Sequence, residues 1–319
     1  HESGVRGAAV LHDGTAVTGG EDRTVKIWPP NGSGGFADPI FCIGFEHMIR
    51  CIVAIPVRDS FPEGGFAVGC HDTKVTLWGK DGTLVRTLHG HSGGVVDLGW
   101  TASGSLLSGA WDGTARVWNV DTGDCEAEMG GHENAVCVLG LPNGDIATGS
   151  SGVNENNKHV GFKVRIWRAG AIVKTLEDHG GPVRCLTLVP AVGFSSSSND
   201  GTTKLRTLDG TVVAVLANPP AGDKLGTAYH TLWAEDRNEV RCLITSNEDT
   251  VLRVYRDNAL AQEIPHPGTP WASAALPNGD LLTVCNQAGT SRIGHAYVWT
   301  KDPVRFAGDD AMAEFSIAM

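Results

Sequence analysis

Short apolar runs alternate with polar turns along the whole chain, and the pattern returns after about 40 residues. The turns include HDGT, ASGS and PNGD, which are of the Asn-Gly and Asp-Gly type that joins antiparallel strands. Glycine is abundant, at 42 of 319 residues, while helix-forming runs are scarce. The pattern therefore predicts an all-β fold of many short strands.

One segment recurs, and it ends in a strand that closes with an aromatic residue. Each ungapped copy has an aspartate six residues before that aromatic: TGGEDRTVKIW (18–28), VGCHDTKVTLW (68–78), SGAWDGTARVW (108–118) and TSNEDTVLRVY (245–255). A fifth copy keeps Asp200 but has Arg206 at the aromatic position. Two longer copies end at Trp167 and Trp299, which makes seven.

Further strands surround each copy. A histidine followed by an apolar run stands ahead of most copies: His1, His47, His91, His132 and His179. A short strand such as TLVRTL or AIVKTL follows the aromatic. Each period thus encodes four antiparallel strands, which is the signature of a propeller blade. We expect a seven-bladed β-propeller with four strands in each blade.

This pattern resembles the WD-repeat family over residues 1 to about 300. In that family a His, a Ser or Thr, the hairpin Asp and the Trp form a hydrogen-bonded tetrad within the blade. The resemblance implies two complete tetrads: His1, Thr18, Asp22 and Trp28, and His91, Ser108, Asp112 and Trp118. Copies with Val68 at the hydroxyl position or Arg206 at the Trp position should be less rigid.

A Ser, His and Asp set also invites a hydrolase interpretation. The set recurs here at one spacing, whereas a catalytic site is usually assembled once from different elements. The sequence therefore favours a structural role and predicts no catalytic residue, no metal and no cofactor.

Seven sets of three inner strands but only six outer strands can be counted. We expect the missing strand to lie upstream of His1, outside this chain; the alternatives are residues 304–307 or the last residues of the chain. Residues 301–319 are expected to form a linker and a short helix after the 1–300 propeller. The segment 148–167 holds nine extra residues between its strands. It is predicted to be an exposed loop whose shortening spares folding but changes binding.

Composition limits the partners. The formal net charge of −11 does not indicate a surface that binds nucleic acid. No apolar run is long enough to cross a bilayer. The eight cysteines form no CxxC pair, and most lie in apolar runs. They favour buried thiols in a reducing compartment over a disulfide or zinc framework.

A propeller has no intrinsic chemistry, so function must lie in surface positions. Candidate partner-binding residues precede the hairpin aspartates or flank the inner-strand starts, on the face called the top: Arg6, Glu21, Arg50, His71, Trp111, Arg184, Asn199, Trp233, Glu248 and Trp271. Blade core is the alternative for Trp233 and Trp271. An aromatic and basic ring of this kind suits a protein or peptide partner.

The opening HESGVRGAAV, the two PNGD turns and the exit VWTKDPVRFAGDDAMAEF resemble the phospholipase-A-activating protein family, the ubiquitin fusion degradation group. The resemblance implies a non-catalytic, monomeric module that binds ubiquitin or ubiquitylated cargo on its top face. It also implies attachment to the AAA ATPase valosin-containing protein through regions outside this chain, in the cytoplasm and also the nucleus. A generic scaffold for another peptide is the alternative.

Overall fold

The computed structural model describes residues 1–31, 36–42, 45–155, 158–218, 226–235, 241–287, 294–299 and 312–313. In this part of the chain, seven four-stranded antiparallel sheets are arranged around an axis as blades. The sequence-based prediction of an all-β, seven-bladed propeller is confirmed. Among these residues there is no helix with the length and apolarity needed to cross a membrane.

The first three blades use consecutive strands. Blade 1 consists of β1 (Val5–Val10), β2 (Ala16–Gly20), β3 (Val25–Trp28) and β4 (Ile40–Cys42). Blade 2 consists of β5 (Ile49–Ile55), β6 (Gly65–Cys70), β7 (Val75–Gly79) and β8 (Leu84–Leu88). Blade 3 consists of β9 (Val95–Trp100), β10 (Leu106–Ala110), β11 (Ala115–Trp118) and β12 (Cys125–Met129).

Blade 4 contains an inserted hairpin between its second and third strands. The blade consists of β13 (Val136–Gly140), β14 (Ile146–Ser150), β17 (Val164–Arg168) and β18 (Ala171–Leu176). The insertion forms a separate two-stranded sheet of β15 (Val153–Glu155) and β16 (Lys158–Val160). Gly152 and Gly161 flank it with φ of 65° and 86°, in the left-handed region that favours glycine. The predicted loop is therefore a hairpin of its own.

The remaining blades return to the simple order. Blade 5 consists of β19 (Val183–Val189), β20 (Gly193–Ser198), β21 (Thr202–Arg206) and β22 (Val212–Ala217). Blade 6 consists of β23 (Ala228–Glu235), β24 (Arg241–Asn247), β25 (Val251–Arg256) and β26 (Ala259–Pro265). Blade 7 consists of β27 (Gly268–Ala275), β28 (Leu281–Gln287), β29 (Gly294–Trp299) and β30 (Met312–Ala313).

The outer strand of blade 7 differs from the expectation. Met312 pairs with Trp299, and Ala313 pairs with Val298, in an antiparallel ladder. In this structure the fourth strand is formed by residues 312–313 near the end of the chain, as in one of the alternatives. These two residues are extended where a helix was expected, and the rest of the predicted linker and helix lies outside the described residues.

The cores lie between neighbouring blades. Val17 of blade 1 packs with Ile52 and Phe66 of blade 2. Trp28 of blade 1 packs with Leu282 of blade 7, and β27 contacts β1. The inner strands of all seven blades therefore form a closed ring around a central channel. The channel opens at the top face, which carries the hairpins between second and third strands and the starts of the inner strands.

Candidate functional site

The two predicted tetrads have the expected hydrogen bonds. In blade 3, His91 Nδ1 lies 2.9 Å from Asp112 Oδ2, and His91 Nε2 lies 2.7 Å from Ser108 Oγ. The indole N–H of Trp118 donates to the same hydroxyl oxygen over 2.7 Å. Blade 1 repeats this geometry with distances of 2.8 to 2.9 Å in the tetrad that contains His1.

Burial argues against a nucleophilic role for the hydroxyl, because Ser108 is 0% exposed and a substrate could not reach its oxygen. That oxygen also accepts the indole N–H of Trp118, while its proton is directed at His91. Burial opposes ionisation of Asp112, but hydrogen bonds from Thr114, the backbone N–H of Ser92 and His91 outweigh it and lower the pKa of Asp112. The carboxylate is therefore fully engaged in holding the hairpin.

Blade 5 contains a substitution that completes its tetrad in another way. Arg206 is fully buried, and its Nε donates to Ser196 Oγ over 2.9 Å, as an indole N–H does in the other blades. The guanidinium also forms a two-pronged ion pair with Asp178 at 2.7 and 3.0 Å. His179 joins Ser196 to Asp200 at 2.8 and 2.9 Å. The network of blade 5 is therefore complete at the Arg206 position, and the lower rigidity expected for this copy stays a prediction.

Blades 4 and 7 keep parts of the network. In blade 4, His132 and Trp167 both form hydrogen bonds with Thr148. In blade 7, His266 and Trp299 both form hydrogen bonds with Thr283, and His266 was not among the histidines identified from the sequence. The inserted hairpin leaves His132 Nδ1 without a partner among the described residues. Burial, with the charge of Arg165 as a smaller cause, lowers the pKa of His132 to about 3.

β-Bulges shape the top face at the starts of the inner strands. In six blades the pairing with the second strand skips one residue: Arg6, Arg50, Val96, Arg184, Tyr229 and Trp271. A bulge redirects the side chain of the extra residue away from the regular alternation of the strand. Blade 4 pairs without a bulge.

The six bulged side chains line one pocket at the top of the channel, with a volume of about 320 Å³. Trp111 also lines this pocket, and Asp97 contributes a carboxyl group to it. We call this pocket the mouth. Six starts of strands that lie far apart in sequence thus meet at one opening.

Aromatic and cationic side chains of the mouth contact one another. The guanidinium carbon of Arg6 lies 3.7 Å from the centre of the Trp271 ring, and that of Arg50 lies 5.3 Å from the centre of the Trp111 ring. Trp271 and Tyr229 pack with ring centres 4.4 Å apart. These contacts hold large flat side chains in place at the mouth.

The residues that precede the hairpin aspartates support this arrangement from behind. Glu21 forms an ion pair with Arg6, and Asn199 Oδ1 accepts a bond of 2.8 Å from Arg184 Nε. His71 packs edge-on against Trp111, with ring centres 4.6 Å apart. Burial, followed by the charge of Glu248, raises the pKa of Tyr229 to about 12.

Trp233 is the candidate that the structure places elsewhere. It lies within β23 opposite Leu243 and packs against the core between blades 5 and 6, with Leu205 and Tyr255. Tyr229, four residues earlier, occupies the bulge and lines the mouth. The signal that could have identified Tyr229 is its position one residue after the first buried residue of the strand, as in Val5-Arg6 and Val183-Arg184.

Asp97 differs from the hairpin aspartates because no cation is paired with it among the described residues. Its oxygens accept backbone N–H bonds from Val138 and Leu98 at 2.8 and 2.9 Å. Desolvation in the channel outweighs these bonds and raises the pKa of Asp97 to about 7. The nearby Cys51 and Cys137 thiols add no positive charge.

Comparison with known proteins agrees with the fold. The WD domain, G-beta repeat, matches residues 1–29 and 82–119. The crystal structure of the WD40 β-propeller domain of Doa1 aligns over 96% of this chain and 96% of that chain, with a TM-score of 0.77 and 22% identity. The chain therefore contains WD repeats at residues 1–29 and 82–119, and its fold is a seven-bladed β-propeller.

Two curated relatives are similar at the sequence level. The chain is 33% identical over 144 residues to Phospholipase A-2-activating protein of Xenopus laevis, which covers 44% of this chain and 18% of that protein. It is 28% identical over 185 residues to Angio-associated migratory cell protein of Homo sapiens, covering 54% of this chain and 37% of that protein. The chain spans less than half the length of either relative. The similarity to Phospholipase A-2-activating protein is one of sequence over part of the chain, and the similarity to the Doa1 propeller is one of fold.

Proposed function

We propose that the mouth is a protein-binding site and that its partner is ubiquitin or a ubiquitylated protein. The observation that supports this proposal best is Trp111, which is 39% exposed and is held against Arg50 and His71. Ordered aromatic side chains of this kind are favoured at the centres of protein interfaces, since they bury much area at little entropic cost.

Two carboxylates of the top face already have neighbours within the propeller. Glu21 is already paired with Arg6, and Glu248 lies beside Tyr229. Their charges are thus partly used within the propeller, and basic residues of a partner would have to compete for them. The apolar contact with Trp111 is therefore the main support for the ubiquitin proposal.

The broader context is part of the same proposal. The chain would act as a non-catalytic receptor within a cofactor of valosin-containing protein, joined to that ATPase through other regions. Its place would be the cytoplasm and the nucleus, as a monomer. These points rest on the family resemblance and on the similarity to Phospholipase A-2-activating protein.

Titration of isotopically labelled ubiquitin with this chain tests the proposal. We expect chemical-shift changes on one face of ubiquitin, with a Kd of about 10 µM or weaker, because a single mouth buries little area. Trp111→Ala should weaken the binding about tenfold or more.

A matched control is Val213→Ala, which removes an exposed apolar side chain from the outer strand of blade 5. This variant should bind as the parent chain does. Absence of shift changes at millimolar protein, or changes that Trp111→Ala leaves intact, would contradict the proposal. A mouth that binds other peptides but not ubiquitin would favour the generic scaffold.

A further inference from the structure

Two of the three arginines at the mouth have guanidinium N–H groups with no hydrogen-bond acceptor among the described residues. The Arg50 guanidinium contacts the face of Trp111 but has no hydrogen-bond acceptor or acidic partner among the described residues. Arg184 donates only through Nε, to Asn199, in that part of the chain. Arg6, in contrast, is neutralised by Glu21. A guanidinium presents five N–H donors in a planar fork, so most donors of Arg50 and Arg184 remain available.

These cations lie close enough to affect one another. Burial lowers the pKa of Arg50, and the positive charges of Arg6 and Arg184 act in the same direction. The three side chains line one pocket although they come from blades 1, 2 and 5. On a chain with a formal net charge of −11, like charges gathered at one opening point to a negatively charged ligand group.

We infer that the mouth binds the carboxylate of an acidic side chain, presented by an extended peptide segment of a partner protein. Arg50 and Arg184 hold the carboxylate through charge-assisted hydrogen bonds. Apolar neighbours of the acidic residue pack on Trp111 and Trp271. The inference rests on the proposed protein-binding role of the mouth, but not on ubiquitin as the partner.

The floor of the mouth favours a single negative charge. Asp97 lines the pocket without a cationic partner among the described residues, and in its ionised form it repels a doubly charged group more strongly than a singly charged one. With Arg6 neutralised, the two free guanidinium groups match one carboxylate better than one phosphate dianion. Charge complementarity thus commits the mouth to an Asp or Glu side chain.

Selection from a displayed library of random heptapeptides tests the inference without knowledge of the partner. We expect peptides selected on the parent chain to be enriched in Asp or Glu at one position, next to an apolar residue. In the best selected peptide, Glu→Gln or Asp→Asn should weaken binding about tenfold or more, measured by fluorescence anisotropy.

Charge variants locate the site. Arg50→Gln and Arg184→Gln should each remove the preference for the acidic peptide over its amide analogue, and Arg50→Lys should restore part of it. The control is Arg23→Gln, which removes the same charge from an exposed hairpin residue outside the mouth and should leave the preference intact. Thermal unfolding of each variant checks that the fold is retained. If Arg50→Gln unfolds, Arg184→Gln provides the test, because Arg184 is exposed.

Several results would overturn the inference. One is enrichment of Lys or Arg, or no preference for acidic residues. Another is an acidic preference that survives both arginine variants. Tighter binding when phosphoserine replaces the acidic residue would show that phosphate is the ligand. Ubiquitin binding that depends on Trp111 without any acidic preference would refute only this inference, and acidic-peptide binding without ubiquitin binding would refute only the ubiquitin proposal.

Discussion

At the residue scale, Arg206 shows how one hydrogen-bonded network can be completed by two different side chains. The guanidinium replaces the indole as donor to Ser196, but it brings a positive charge into a fully buried position. Asp178 balances that charge. The sequence could not reveal this pair, because Asp178 lies 28 residues before Arg206 and outside the repeated motif.

The pair predicts a specific pattern of stability. Asp178→Ala should lower the free energy of unfolding by about 2–3 kcal/mol, since it leaves a buried guanidinium without a counterion. The loss should lie at the low end of this range, because Asp178 is partly exposed and water screens its charge. In the Arg206→Trp background the same Asp178→Ala change should cost less than about 0.5 kcal/mol, because an indole needs no counterion. Urea denaturation of the parent chain and the three variants measures this, and equal costs in both backgrounds would contradict it.

At the element scale, the repeat was predictable because five of the seven copies place an aspartate six residues before the aromatic position of the third strand, which holds Arg206 in one of them. The inner strands were harder to place. Their register depends on pairing with the second strand and on one bulge, and hydrophobic alternation alone does not show where the extra residue lies. In blade 6 this uncertainty put Trp233 at the mouth in place of Tyr229.

The inserted hairpin of blade 4 allows an element to be removed cleanly. Its ends are anchored by a hydrogen bond from Ser150 Oγ to the Gly161 carbonyl and by an ion pair of 2.8 Å between Lys163 and Glu133. Replacement of residues 153–160 by Asn-Gly should therefore change the free energy of unfolding by less than about 1 kcal/mol. Because Ser151 lines the mouth, the affinity for ubiquitin should change.

Phe162 provides the contrasting variant for this test. It is buried beside the hairpin, so Phe162→Ala should cost about 3 kcal/mol or more. If the shortened protein unfolds or loses a similar amount, the hairpin is a structural element. If its ubiquitin titration matches that of the parent chain, the hairpin has no part in binding.

At the scale of the whole molecule, the channel exists only when the ring is closed, so Asp97 links ring closure to pH. Its pKa is about 7 in the folded protein, against 3.8 without the fold. The folded state therefore holds a proton that the unfolded chain has released. The contribution of the protonated Asp97 to the free energy of unfolding is complete below about pH 4. It is lost as the pH rises to about 7, by at most about 1.4 kcal/mol per pH unit.

Asp97→Asn should remove this dependence. The free energy of unfolding of the variant relative to the parent chain should rise between pH 5 and pH 7 and then level off, as followed by urea denaturation. The control is Asp209→Asn, because bonds from Thr207 and Thr211 lower the pKa of the exposed Asp209 to about 2. Its difference should stay constant over this range. A constant difference for Asp97→Asn as well would show that the channel hydrates its carboxylate fully.

The bulges at the mouth have a consequence for how such a molecule can diversify. A bulged residue is released from the alternation that assigns its neighbours to the cores between blades. Arg50 or Tyr229 can thus be replaced without a compensating change in those cores. A single nucleotide change at one of these six positions would then alter recognition while the scaffold persists. Blade 4 lacks the bulge, and there a change in the length of the inserted hairpin offers a separate route to a new specificity.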